Sequence, residues 1–213
     1  MVELYVVRHG ETDTNHEGRI NGHATNLDLN TQGVQQVKDL DEHVNINYFD
    51  EVYSSPLKRA IQTAEILNHG VHQIIIDDRL SEINYGSWDG LKMIETKRKY
   101  PDAFDENAYV LPNYTKYAIG GEENEHVYSR VKDFIKDMSN KGDKKILIVC
   151  HGFISRSFCK VITGIPNISD IVQPDNAGVS KYRISSSGHA YLVYYDCVND
   201  MHSVVRANDI HSL

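Results

Sequence analysis

The 213-residue chain predicts an α/β fold: a three-layer, doubly wound, mainly parallel sheet of about six strands with an antiparallel edge hairpin. Three observations predict it. Short β-branched runs alternate with amphipathic helical segments, the pattern that puts helices on both faces of a parallel sheet. Two of those runs, Leu4-Tyr5-Val6-Val7-Arg8-His9-Gly10 and Ile146-Leu147-Ile148-Val149-Cys150-His151-Gly152, stop at the same His-Gly turn. The last two strand-like runs, 178–184 and 190–197, are joined by Ser185-Ser186-Ser187-Gly188-His189, a hairpin signal. Ligands of such folds bind beyond the carboxyl ends of the strands, so both imidazoles are expected at one edge of the sheet.

In chain order, residues 2–8 read as a buried strand and 11–30, polar and glycine-punctuated, as a loop. Asn30 is placed to cap a helix over 31–43, whose apolar stripe of Val34, Val37 and Leu40 is thin. A second strand is read over 49–54. Ser55-Pro56 then opens a helix, the hydroxyl as N-cap and proline at the first helical position. Leu57, Ala60, Ile61, Ala64 and Leu67 share its apolar face, with Arg59, Gln62 and Thr63 off that face, and Gly70 fits its stop. Residues 73–77 read as a third strand, 80–90 as a shaped loop holding Glu82 and Trp88, and 91–100 as a helix ended by Pro101. From 102 to 121 the chain is tyrosine-rich and weakly periodic, so a lid or substrate-binding excursion is expected over about 91–122. Val127, Val131, Phe134 and Met138 stripe a helix over 123–140. A strand over 145–150 and a helix from Gly152, stopped by Gly164, follow. Beyond Asn199 an irregular tail is expected, and residues 1–213 are read as one domain.

The formal net charge of -8 argues against nucleic acid as the main partner. It leaves room for a phosphorylated small molecule, because exposed charges beyond about 8–10 Å are screened and such a ligand feels nearby Arg and His most. No apolar run approaches bilayer length. With Glu3 and a strand at the very start there is no secretory pattern, so a cytoplasmic location is expected and no membrane partner. Cys150, Cys159 and Cys197 show neither a paired metal spacing nor a disulfide framework and read as reduced core thiols. His69 and His72 flank Gly70 without carboxylate or thiolate company, so no metal site is read there. The oligomeric state has no signal in the sequence.

Phosphoryl transfer needs an in-line nucleophile, cations around the equatorial oxygens and a proton for the leaving group. Arg8 and Arg59 can each offer a phosphate two donors, in charge-assisted bonds worth roughly 1.5–3 kcal/mol each. The first amides of the helix that begins at Gly152 add donors where the helix dipole favours an anion, and Asn15 can add an uncharged one. His9, flanked by guanidinium groups, is expected to stay neutral and therefore nucleophilic. The acid should be a carboxyl of raised pKa, and Glu82 in its glycine-bordered loop is the best placed. His23, Tyr109, Tyr114 and Tyr117 are weaker candidates for substrate contacts, and Trp88 reads as packing.

Arg8-His9-Gly10-Glu11-Thr12 with Asn15 resembles the signature of the histidine phosphatase superfamily, which includes the cofactor-dependent phosphoglycerate mutases. The resemblance continues through Ser54-Ser55-Pro56-Leu57-Lys58-Arg59-Ala60-Ile61-Gln62-Thr63-Ala64, Leu80-Ser81-Glu82-Ile83, Gly120-Gly121-Glu122 and Val149-Cys150-His151-Gly152. It implies that His9 becomes the phosphohistidine and that Arg8, Arg59 and His151 form the phosphate pocket, assisted by Asn15 and Gly152. It further implies that Glu82 serves first as proton donor and then as base for water, with no metal and no cofactor. The chain departs from the pattern at Asp28, Asn30 and Glu123, where proline, threonine and serine are common. The implied activity is a metal-independent phosphomonoester phosphatase acting on a small metabolite. The alternative is a cofactor-dependent phosphoglycerate mutase. Mutases of the family carry adjacent arginines after the Glu82 region, whereas between Lys99 and Arg130 only Lys116 is basic here.

Overall fold

A computed structural model of the chain describes residues 1–197; the tail expected beyond Asn199 lies outside the described residues. Six strands, β1 (Val2–Arg8), β2 (Glu51–Ser54), β3 (Ile74–Ile76), β4 (Lys145–Cys150), β5 (Val179–Ile184) and β6 (Ala190–Cys197), form one sheet in the order β3-β2-β4-β1-β5-β6. β3, β2, β4 and β1 run parallel, and β5 and β6 add the antiparallel edge hairpin. The sheet is therefore the mainly parallel one that the sequence predicts.

Alternation along the central strands supplies both faces. Leu4, Val6, Ile146 and Ile148 enter one core with Val127, Val131, Phe134, Ile154 and Phe158, from helices α5 (Asn124–Ser139) and α6 (Gly152–Thr163). Tyr5, Val7, Leu147 and Val149 point the other way, onto Val37, Leu40, Ala60, Ala64 and Leu67 of α2 (Thr31–Asp41) and α3 (Lys58–Asn68). Side chains one residue apart on a strand face opposite ways, so two continuous apolar runs suffice to build a two-sided core.

The register places the two His-Gly turns. Arg8 pairs with Cys150 across β1 and β4, and the His9 N–H extends the ladder to the Cys150 carbonyl at 3.0 Å. His9 and His151 therefore leave adjacent strands at the same level.

Several local expectations are corrected. Ser55 is not the cap of α3. That helix starts at Lys58 after an uncapped Leu57, and the Ser55 hydroxyl is used elsewhere. A short helix, α1 (Asp13–His16), interrupts the loop read over 11–30; Thr12 and Asn15 close it with a reciprocal capping box. Residues 91–92 precede rather than join α4 (Met93–Lys99). Asn30 does cap α2, accepting from Gly33 N at 2.7 Å. The excursion over 91–122 packs into the protein: Ala103, Phe104, Val110, Tyr114 and Ala118 belong to the main core. Tyr114, a candidate substrate contact, is fully buried and its hydroxyl donates to the Glu122 and Asn84 carbonyls at 2.6 and 3.2 Å, so it is an interior strut. Tyr117 donates to Asp102 Oδ2 at 2.6 Å and lines a hollow with Trp88 and Tyr100 that shares no wall with the cavity beside Glu82.

Candidate active site

The carboxyl ends of β1, β2 and β4 bring His9, Arg8, Arg59, Glu82 and His151 together in the interior. His151 and Arg59 are 0% exposed, His9 2%, Glu82 6% and Arg8 9%. The two imidazole rings stand 5.1 Å apart, centroid to centroid, at 62°. The Nε of Arg59 lies across them, sharing its one N–H between His9 Nε2 at 3.2 Å and His151 Nδ1 at 3.3 Å.

These partners set the tautomers. His9 Nδ1 donates to the carbonyl of Gly10 at 2.6 Å, so the proton sits on Nδ1 and the lone pair on Nε2. His151 accepts at Nδ1, so its Nε2–H donates to Ser55 Oγ at 2.7 Å, an oxygen that also accepts from Leu57 N at 3.3 Å. Both rings are held well below the ordinary histidine pKa, by burial first and then by the neighbouring guanidinium groups, Arg59 foremost. Burial also pushes Arg59 down to about 10, which leaves it a cation at neutral pH.

Arg59 is aimed by a loop. Its Nη2 donates to the Gly22 carbonyl at 3.1 Å and its Nη1 to that of Thr25. Asp89 holds this loop in shape, accepting from Gly22 N, Ala24 N, Thr25 N and Thr25 Oγ1 at 2.6–3.2 Å. Arg8 donates from Nη1 to the Pro174 carbonyl at 2.6 Å, while its buried Nε has no partner. Glu82 is fully interior. Its oxygens accept from Ile83 N at 2.9 Å and Phe153 N at 3.3 Å, but burial outweighs these bonds and the charge of Arg59, so its carboxyl is held above the usual range.

Asn15 presents a half-buried carboxamide whose oxygen serves the capping box of α1, accepting from Thr12 N and Oγ1. Gly152 opens α6 with an amide that has no helical acceptor. A side chain at Gly152 would meet Gln173, 2.7 Å from the added Cβ, so the Gln173 carboxamide packs directly on this helix start. Tyr109 braces the same loop: its hydroxyl accepts from Gln173 N at 2.9 Å and its ring lies 4.1 Å from the buried Arg156 guanidinium. His23 lines, with Ser81, Glu82, Asn84, Glu122 and Arg130, a cavity of about 640 Å³ beside Glu82. Sequence reasoning missed Ser55, Asp89, Thr63 and Gln173 as parts of the site. Thr63 Oγ1 accepts from Gly10 N at 3.2 Å and so fixes the peptide next to His9. Ser55 and Thr63 were visible in the quoted stretch around Arg59 but were read there as helix cap and helix face.

Two guanidinium groups and two neutral imidazoles, buried together at the carboxyl edge of a doubly wound sheet, are the groups that a protein handling phosphoryl anions needs. The chain belongs to the histidine phosphatase superfamily (branch 1), whose family model matches residues 4–197, and it is a phosphomonoesterase of the phosphoglycerate mutase-like type. It is 34% identical over 167 residues, 78% of each chain, to a protein named phosphoserine phosphatase 1 from Hydrogenobacter thermophilus. It is 33% identical over 165 residues to PhoE of Bacillus subtilis, an uncharacterized phosphatase, covering 77% of this chain and 79% of that one. The solved structure of Bacillus stearothermophilus YhfR matches with a TM-score of 0.83 at 25% identity, over 94% of this chain and 100% of that one. The chain is thus a phosphatase whose substrate is a small phosphorylated metabolite. Among the described residues no helix is long and apolar enough to cross a membrane.

Proposed function

We propose that the protein hydrolyses its phosphomonoester through a phosphohistidine on His9, without a metal ion. The observation that carries this reading is the tautomer of His9: Nδ1–H is tied to Gly10 O, so the Nε2 lone pair faces Arg59 and His151 in an interior that disfavours protonation. The phosphoryl oxygens take the N–H of Arg59 away from the rings and engage Arg8, whose Nε is otherwise unpaired, with Asn15 and Gly152 N completing the cradle. Nε2 attacks phosphorus, the P–O bond to the leaving group breaks, and Glu82 delivers a proton to the departing oxygen. Glu82, now a carboxylate, takes a proton from water as that water attacks the phosphohistidine, which restores free His9 and releases phosphate. The two guanidinium groups supply the positive charge that a metal supplies in other phosphoryl-transfer sites.

The leaving group occupies the cavity next to Glu82, which His23 lines together with Gly120 and Glu122 of the excursion. Its mixed lining, Asp78 and Glu122 with Arg130 and His126, suits a polar and charged leaving group. Phosphoserine is the first substrate to try, being the one named for the 34% identical relative. The test is a quench of turnover with a chromogenic aryl phosphate, done with and without prior chelation. An acid-labile, alkali-stable phosphoenzyme formed equally in both arms is expected. A phosphoryl group on serine or aspartate, or turnover restored only by added metal, overturns the reading.

A further inference from the structure

We propose that the Glu122–Arg130 pair is a positioning device for the proton donor, clasping the loop that presents Glu82 from both ends. The inference rests on the reading of Glu82 as general acid.

Glu82 sits in the middle of residues 79–84. At one end, Arg130 Nη1 of α5 donates to the Arg79 carbonyl at 2.6 Å. At the other, Glu122 accepts from Asn84 N at Oε2, 3.2 Å, while its own N–H donates to Asn84 O at 2.7 Å. The two ends are joined through one fork. Arg130 Nε reaches Glu122 Oε1 at 3.1 Å and Nη2 reaches Oε2 at 3.3 Å. Tyr114 adds its hydroxyl to both Asn84 O and Glu122 O. The pair is well buried, its side chains 14% and 13% exposed, so it escapes most of the screening that makes surface pairs weak. Glu82 carries none of these contacts itself; its oxygens are held by Ile83 N and Phe153 N. The clasp therefore decides where the loop, and with it the carboxyl, stands relative to α6.

The pair also sets charge. The ionisable groups around Glu82 are Arg8 on β1, Arg59 on α3, Cys150 on β4, Tyr85 on its own loop and Arg130 on α5. His23, Asp78, Glu122 and His126 share the cavity with it, and His126 Nδ1 lies 3.0 Å from Glu122 Oε1. Arg130 favours the ionised form of Glu82, and its guanidinium is itself paired with the Glu122 carboxylate. Removing one member should therefore shift Glu82 one way, and removing the other should shift it the opposite way. A purely structural brace has no reason to do this.

The test compares kcat/KM against pH for an alkyl phosphate and an aryl phosphate in wild type, Glu122→Gln, Arg130→Met, Arg130→Lys and Glu82→Gln, with thermal melts to exclude unfolded variants. The aryl leaving group needs little protonation, so a loss confined to the alkyl substrate, together with a moved pH limb, reports on the acid rather than on folding or phosphate binding. Glu82→Gln should depress the alkyl substrate far more than the aryl one. Glu122→Gln should depress the alkyl substrate about tenfold more than the aryl and move its alkaline limb to lower pH, because Arg130 is left uncompensated. Arg130→Met should move that limb to higher pH. Arg130→Lys keeps the charge but loses the fork, so it should lower alkyl turnover with the limb in place. Parallel losses on both substrates in the Glu122 and Arg130 variants, or limbs that do not separate, overturn the inference while Glu82 remains the acid. If Glu82→Gln itself affects both substrates equally, the acid assignment falls and the inference with it.

Discussion

Ser55→Ala tests how far His151 depends on a neighbour that touches no substrate. The substitution removes the oxygen that accepts the Nε2–H of His151 at 2.7 Å and the Leu57 N–H at 3.3 Å. His151 is fully buried, so no water replaces that acceptor, and a stranded buried donor costs about 1–3 kcal/mol. The ring can avoid this only by moving its proton to Nδ1, which then confronts the Arg59 Nε–H, 3.3 Å away, donor against donor. Either outcome loses the orientation that His151 holds opposite His9. An equal loss from the transition state lowers kcat/KM about 5- to 150-fold. The assay is steady-state hydrolysis of an aryl phosphate, with competitive inhibition by inorganic phosphate read in parallel, since substrate and inhibitor use the same anion pocket. Both constants should worsen together in a protein that still melts cooperatively. If kcat/KM and the phosphate inhibition constant both stay within about twofold of wild type, His151 is held by its own packing and the reasoning is wrong.

Two further outcomes are expected. The depressed pKa values of His9 and His151 make stability fall on acidification. Below about pH 6.5 the unfolded chain takes up protons on these rings while the folded chain does not, so each costs up to about 1.4 kcal/mol per pH unit. Glu82, raised by burial, works the other way: its contribution is present at low pH and lost as pH rises through its folded value. Denaturant melts should show the ligand-free protein losing stability between pH 6.5 and 5.5, and a His9→Ala, His151→Ala double variant should flatten that slope; an unchanged slope refutes the buried-neutral assignment. Gln173→Glu places a carboxylate against the start of α6 at Gly152. It should raise the melting temperature through the helix dipole and weaken phosphate inhibition about tenfold or more by repulsion, while Gln173→Leu weakens it less. Unaltered phosphate inhibition in Gln173→Glu would place that carboxamide outside the anion pocket.

What was legible in the sequence is what side chains carry by their identity. The two runs ending in His9-Gly10 and His151-Gly152 could be read as strands of one sheet that stop at the same edge, and the β1–β4 register puts both turns at one level; that the two strands are neighbours is seen only in the structure. Buried β-branched runs alternating with amphipathic helical segments likewise announced helices on both faces of the sheet. The parts that were missed depend on backbone atoms. Gly10 O fixes the His9 tautomer, Pro174 O takes Arg8, and the Gly22 and Thr25 carbonyls aim Arg59. A carbonyl is the same in every residue and leaves no mark in the sequence. Ser55 shows the related failure. Ser-Pro before an apolar stripe is a sound cap signal, but the hydroxyl's stronger demand came from His151, 96 residues away, and tertiary need overrode local preference. Tyr114 misled for a third reason: an amphipathic ring in a weakly periodic stretch fits a cavity wall and a core strut equally well, and burial alone separates them.

The ionisable groups that meet at this edge are displaced in the direction that burial dictates. Arg8 and Arg59 are lowered, His9 and His151 are lowered, and Glu82 is raised. Two guanidinium cations thus share an interior with two uncharged rings and a carboxyl biased toward its neutral form, and one guanidinium nitrogen lacks any partner. Packing cations without a counter-anion is unfavourable, and a buried carboxylate would be the simplest remedy. The chain supplies it only in part: Glu82 acts on both guanidinium groups through space, but burial biases it toward its neutral form and its oxygens are taken by Ile83 N and Phe153 N, while Glu122 is committed to Arg130. A phosphate dianion placed at His9 Nε2 would supply the counter-charge that a carboxyl biased toward its neutral form does not. Burying two cations among neutral rings favours a highly charged phosphoryl group over a neutral ester at this edge, and the two-sided apolar core beneath it offsets the cost to the fold.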